Sequence, residues 1–150
     1  MSSHHKEDPR RYPNRPHIGV GGIIEWKNSL LLIRRKFTPD QGKWAIPGGH
    51  LELGESTAAG AMREVHEETR LRVKNPRFAN VIDKIEKDRD GKIEFHYVLI
   101  NFFFDLVELP PPLPSPQSDV LEAQFVKIAD LLQYDLTNSV RELFMKLHYI

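Results

Sequence analysis

Glu64, Glu67 and Glu68 fall three and four positions apart in a proline-free stretch, Thr57–Thr69. An α-helix turns about 100° per residue, so the three carboxylates share an arc of roughly 100°. Like charges at these spacings repel by about a few tenths of a kcal/mol per pair. Arg63 is the one cation close by, at i,i+4 from Glu67. An acidic solvent face is the plain explanation of a charge run, but such a face normally intersperses lysines. A divalent cation would give the cluster a purpose. Oxygen-only donors suit hard, octahedral Mg²⁺ or Mn²⁺ rather than zinc. Mg²⁺ is usually held by a few carboxylates plus waters and phosphates, and it lowers the pKa of a bound water. Gly48-Gly49 lets the backbone come close to such an ion, so the Gly49 carbonyl is a further candidate ligand.

These residues need elements to position them. Ser56 is a candidate N-cap for a helix over Thr57–Thr69, with Ala58, Ala61, Met62, Val65 and Thr69 on the opposite, apolar face. His17–Glu25 and Leu30–Arg35 read as two strands of a hairpin around the polar turn Trp26–Ser29. Lys36–Lys43 reads as a loop, and Trp44–Ile46 as a short apolar piece ended by Pro47-Gly48-Gly49. Phe78–Ile85 and Ile93–Phe104 read as strands around a charged turn, Lys87–Gly91. Leu109–Ser118, with five prolines, reads as a stiff surface connector. Ala123–Ile128 is a last short strand, and Ala129–Ile150 is helical with a break near Asp135–Thr137. Residues 1–16 are expected to be a flexible arm and residues 17–150 a single domain. Strand pairs alternating with helices predict an α/β domain, a mixed sheet with helices on its faces.

The chain has 150 residues, fitting one compact domain. Lysine plus arginine equals aspartate plus glutamate at 21 each. That balance argues against a nucleic-acid backbone as partner, since such domains carry a positive excess. The absence of cysteine excludes disulfides, thiolate catalysis and zinc–thiolate sites. Residues 1–16 lack the apolar core of a secretory signal, and no stretch approaches the ~18–20 apolar residues of a membrane span. A soluble protein of the cytoplasm is expected.

Gly49, Glu55, Arg63-Glu64, Glu67-Glu68 and Leu71, at their spacings, resemble the signature box of the Nudix hydrolases. A chance match of its fixed positions from one start is on the order of one in ten million. One position departs: the family has glycine where this chain has Arg70. That glycine would end the helix in a left-handed conformation, and a non-glycine residue there costs about 1 kcal/mol or shifts the helix end. Tyr12-Pro13, Arg15-Pro16, Gly19-Val20-Gly21, Trp44, Pro47-Gly48-Gly49 and His96–Ile100 are similar to the branch of ADP-ribose pyrophosphatases. A proline downstream of the box, seen in some of those enzymes, is replaced here by Ile85-Glu86-Lys87.

The resemblance implies an α/β/α sandwich with a mixed sheet, its acidic helix pointing at a diphosphate. It implies Mg²⁺ (or Mn²⁺) held by Glu64, Glu67, Glu68 and the Gly49 carbonyl. Glu64 is either a ligand or the base that orients water; Asp119 and Glu122 are other candidate bases. Arg63 is expected to pair with a glutamate, and Glu55 to act beside it. Arg34, Arg35, Lys36 and Lys43 are candidate phosphate contacts, as is Asp119 for substrate. His96 and Tyr97 alternate on a strand, so one faces the core and the other can face the site; a packed core role is the first expectation for each. The implied reaction is hydrolysis of the diphosphate bond of a nucleoside diphosphate linked to another group, ADP-ribose first. The alternatives are a pyrophosphatase that clears damaged nucleoside triphosphates and a nucleotide-sensing module without turnover. The expected partner is a small nucleotide, with no nucleic acid and no membrane; a homodimer is compatible with the sequence.

Overall fold

The computed structural model describes residues 9–117 and 119–150. Seven strands and two α-helices follow in chain order. They are β1 (His17–Trp26), β2 (Ser29–Arg35), β3 (Trp44–Ala45), β4 (Gly48–His50), α1 (Thr57–Thr69), β5 (Val73–Lys87), β6 (Ile93–Leu106), β7 (Val120–Lys127) and α2 (Asn138–Lys146). A 3₁₀ helix over Ile128–Gln133 precedes α2. The strand order is β3-β2-β1-β6-β5, with β4 paired on β1 and β7 on β2. β1 and β6 run parallel while the other pairs are antiparallel, so the sheet is mixed. α1 packs on a core of Val20, Ile24, Leu31, Val65 and Phe104. α2 packs on a second core of Ile33, Ile82, Leu131, Leu143 and Phe144. The result is the α/β/α sandwich expected from sequence.

The β1–β2 hairpin is real but short. Lys27 and Asn28 both have positive φ, the backbone of the tight turn that matches strand twist. Only Glu25↔Leu30 and Trp26↔Ser29 then pair. Beyond them β1 continues along β6, and β2 along β7. β4 takes the edge of β1 at Gly19–Gly21 that β2 has left. The sequence does not announce β4, because Gly48-Gly49-His50 lacks the branched and aromatic residues that mark strands. Gly48 is required there: a Cβ would lie 2.4 Å from the Val20 carbonyl oxygen.

The segment expected to be an arm falls outside the described residues up to Asp8. From Pro9 it makes specific contacts. Tyr12 N–H donates to the Glu94 carbonyl at 2.7 Å. The Tyr12 hydroxyl donates to Asp88 at 2.8 Å, and Arg11 Nε to Glu94 at 3.0 Å. The proline-rich connector also docks. Ser115 N–H donates to the Thr69 carbonyl and Gln117 N–H to the Glu68 carbonyl, at 2.9 and 3.2 Å. These bonds satisfy the open end of α1 and bring the following Asp119 toward its acids.

Candidate functional site

α1 begins where expected. The Ser56 hydroxyl accepts the Ala59 N–H at 3.2 Å. Its buried face carries Gly60, Ala61, Val65, Glu68 and Thr69. The helix ends at Arg70, which takes the left-handed conformation, φ 64° and ψ 3°, and donates its N–H to the His66 carbonyl. The arginine thus adopts the backbone a glycine would adopt, and Leu71 stays 1% exposed in the core. The helix end does not shift.

The three acids of α1 lie in different environments. Glu68 is buried, and its carboxylate accepts the Gly48 N–H at 2.7 Å. Burial pushes this carboxyl up to about 8; the Gly48 bond opposes that, and neighbouring Glu64 adds to it. Glu64 is half-buried and is raised for the same first reason, with Arg63 pulling the other way. Its carboxyl lies over Gly49, where an added Cβ would come within 2.4–2.6 Å of all three carboxyl atoms. Glu67 stays half in solvent.

Arg63 braces this cluster. It holds Glu55 through two bonds, Nη2–Oε1 at 2.7 Å and Nε–Oε2 at 3.1 Å. Nη1 donates to Glu64 at 2.8 Å and to Glu67 at 3.1 Å. Nη2 also donates to the His50 carbonyl at 3.0 Å, fastening α1 to β4. Glu55 answers by accepting the Glu52 N–H at 2.8 Å. The Arg63 bonds hold its carboxyl down at about 2. Forked arginine–carboxylate pairs of this kind fix rotamers as well as charge.

Glu64, Glu67, Glu68, Arg63 and Gly49 line one cavity of about 350 Å³. A nucleotide-sized ligand fits a pocket of that order. Arg35, Lys36 and Asp119 lie on its wall, as does Tyr97. Arg34, Lys43 and Glu122 do not. Arg34 and Lys43, expected to meet phosphate, and Glu122, expected as a base, thus lie off this wall. Arg34 and Glu122 are cross-strand partners on β2 and β7, 3.8 Å apart, and Arg34 Nε donates to the Gly42 carbonyl. Each is occupied outside the cavity. Lys43 closes the turn of its loop, its N–H donating to the Asp40 carbonyl. Sequence reasoning also missed wall residues: Arg10, Phe37, His50, Glu52 and Lys84. Lys84 reads in sequence as an ordinary solvated strand charge, yet its side chain is 10% exposed.

Among the described residues, no three carboxylate or imidazole groups converge into a ready metal cage. The donor set still fits a hard cation. Mg²⁺ asks for one or two carboxylates and takes its remaining oxygens from water and phosphate. Glu68 and Glu64 supply oxygens on a cavity wall where burial disfavours uncompensated charge, and an added cation relieves that cost.

A family model described as NUDIX domain matches residues 15–147. The chain is 35% identical over 130 residues to an ADP-ribose pyrophosphatase of Methanocaldococcus jannaschii, spanning 84% of this chain and 72% of that one. It superposes on a MutT Nudix hydrolase from Burkholderia pseudomallei with TM-score 0.76 at 24% identity, covering 89% of this chain and 99% of the other. It also superposes on the Nudix domain of Shewanella oneidensis NrtR complexed with ADP-ribose, with TM-score 0.73 at 18% identity over 99% and 97% of the two chains. The chain belongs to the Nudix family and is a Nudix hydrolase. Enzymes of this family generally use divalent metal ions.

Proposed function

We propose that this enzyme hydrolyses the diphosphate of ADP-ribose with Mg²⁺, giving AMP and ribose 5-phosphate. The observation that carries the reading is the cavity itself: Glu64, Glu67 and Glu68 face the same space as the cations Arg35 and Lys36. A diphosphate bound there lies between a metal-binding edge and a cationic edge. The similarity to the M. jannaschii pyrophosphatase supports the choice of ADP-ribose.

In this reading Glu67 and Glu68, with the Gly49 carbonyl, would hold the ion, and Glu64 would serve either as a further ligand or as the base. When bound, Mg²⁺ would supply charge neutralisation at the phosphate oxygens and lower the pKa of the attacking water. Arg63 and Glu55 keep the acids in one set of rotamers. Arg35 and Lys36 draw the diphosphate in and balance charge on the leaving phosphate. Glu64 or Asp119 takes the proton of the attacking water. The water oxygen bonds to one phosphorus and the bridging P–O bond breaks, its electron pair leaving with the second phosphate. Oxidants and covalent enzyme intermediates are not required.

The test is a substrate panel in Mg²⁺. ADP-ribose is expected to be cleaved with a higher kcat/KM than nucleoside triphosphates, releasing AMP. Much faster cleavage of 8-oxo-dGTP or another triphosphate would overturn the choice of substrate.

A further inference from the structure

The loop 36–43 contributes Lys36, Phe37 and Pro39 to the wall of the cavity. Several bonds fold this loop back on its own stem. Gly42 N–H donates to the Arg35 carbonyl at 2.8 Å, and Arg35 Nε donates to the Pro39 carbonyl at 2.8 Å. Other ties come from elsewhere: Lys36 N–H donates to the Asp119 carbonyl at 3.2 Å, and Arg10 Nη2 donates to the Thr38 carbonyl at 3.1 Å. Lys84 of β5, 44 residues along the chain, forms an ion pair with Asp40. The two side chains are 10% and 13% exposed, so water screens their attraction little. Lys84 lies across from Tyr97 in the β5–β6 register, and both residues line the cavity. Lys84 Nζ also lies 3.5 Å from a Glu86 carboxylate oxygen.

We propose that the Lys84–Asp40 ion pair fastens the loop 36–43 to β5 as a wall of the substrate cavity, making Lys84 a positioning residue for substrate affinity. The proposal takes the cavity to be the substrate site, as argued above. The glutamates are held by bonds of their own, from Gly48 and Arg63. Cutting the pair therefore loosens one anchor of the wall and leaves those bonds in place. Substrate then has to order the loop as it binds, which weakens affinity and leaves the chemical step in place.

Loosening and its consequence are read separately. Asp40→Asn removes the charge attraction and keeps one acceptor oxygen, so it weakens the tie while leaving Lys84 its Glu86 neighbour. Lys84→Met with Asp40→Asn strands no buried charge and guards against misfolding. Lys84→Arg preserves the pair. Hydrogen exchange reads the loop in the absence of nucleotide. Amides of residues 36–43 are expected to exchange faster in the first two variants and as in wild type in the third. Steady-state kinetics are expected to show KM raised about tenfold with kcat within about twofold in the first two, and near-normal values for Lys84→Arg. Unchanged exchange in both loosened variants overturns the tie. Faster exchange with unaltered KM, or a fall in kcat alone, overturns the positioning role. If wild type fails to cleave ADP-ribose, the substrate reading falls by itself. The exchange result still decides the tie, and the kinetic comparison moves to the nucleotide that wild type does cleave.

Discussion

Glu68 is the acid with the least water and the strongest backbone anchor, the Gly48 N–H. Glu68→Gln keeps the shape and one acceptor oxygen and removes the charge. Loss of one key electrostatic group costs about 3–4 kcal/mol in the transition state. kcat in Mg²⁺ is therefore expected to fall about 10²-fold or more; near-normal turnover would remove Glu68 from the metal site. Arg70 invites the opposite kind of variant. It occupies left-handed backbone that glycine enters without strain. Arg70→Gly is expected to stabilise the fold by about 0.5–1 kcal/mol, less what its contact to Gln117 contributes. Chemical denaturation reads this directly, and a clear loss of stability would show that the Gln117 contact matters more than the backbone.

Elements, rather than single side chains, decide where the acids point. The 100° spacing placed Glu64, Glu67 and Glu68 on one arc, and α1 carries them so. What spacing could not supply is depth: Glu68 lies at the edge of the packed face, beneath β4, and β4 had no sequence signature. The same gap hid the role of Gly49, which leaves room for the Glu64 carboxyl. Gly49→Ala puts a methyl into that carboxyl. Overpacking of this kind costs about 1–3 kcal/mol, and here the cheapest relief is rotation of Glu64 away from the cavity. kcat is expected to drop about tenfold or more while far-ultraviolet circular dichroism stays native. Retained kcat would show that Glu64 need not sit over Gly49. Strand charges were equally opaque. Arg34 and Arg35 are adjacent and identical, yet one reaches the cavity wall and the other pairs with Glu122. Both pair with β7, Arg34 opposite Glu122 and Arg35 opposite Val120 with a register shift between them, and only the fold shows which of the two turns to the cavity. Lys84 was hidden for a like reason, since Asp40 lies in a loop 44 residues away.

At the scale of the whole molecule, the site's buried charge sets how stability depends on pH. Glu55 and Glu68 act in opposite directions. Glu55, held at about 2 chiefly by Arg63, favours the folded state above the ordinary carboxylate range and loses that contribution as pH falls. Glu68, pushed up to about 8 by burial, binds its proton more tightly folded than unfolded. Its contribution is full below about pH 4.3 and is lost as pH rises toward 8. Glu64 is raised too and adds to the same trend. Between about pH 5 and 8 Glu55 is ionised in both states, so the glutamates of α1 govern the slope among these three groups. After chelation, the Tm of the protein is expected to fall across that interval, and Glu68→Gln is expected to flatten the fall. In the proposed function Mg²⁺ would bind the ionised carboxylates of the folded state and so stabilise it by mass action. Its effect on Tm should be larger at pH 8 than at pH 5. Thermal unfolding with and without Mg²⁺ at the two pH values checks both signs. A Tm that holds level from pH 5 to 8 after chelation, or equal stabilisation by Mg²⁺ at both, would mean that Glu68 is not the strained charge that the cation relieves.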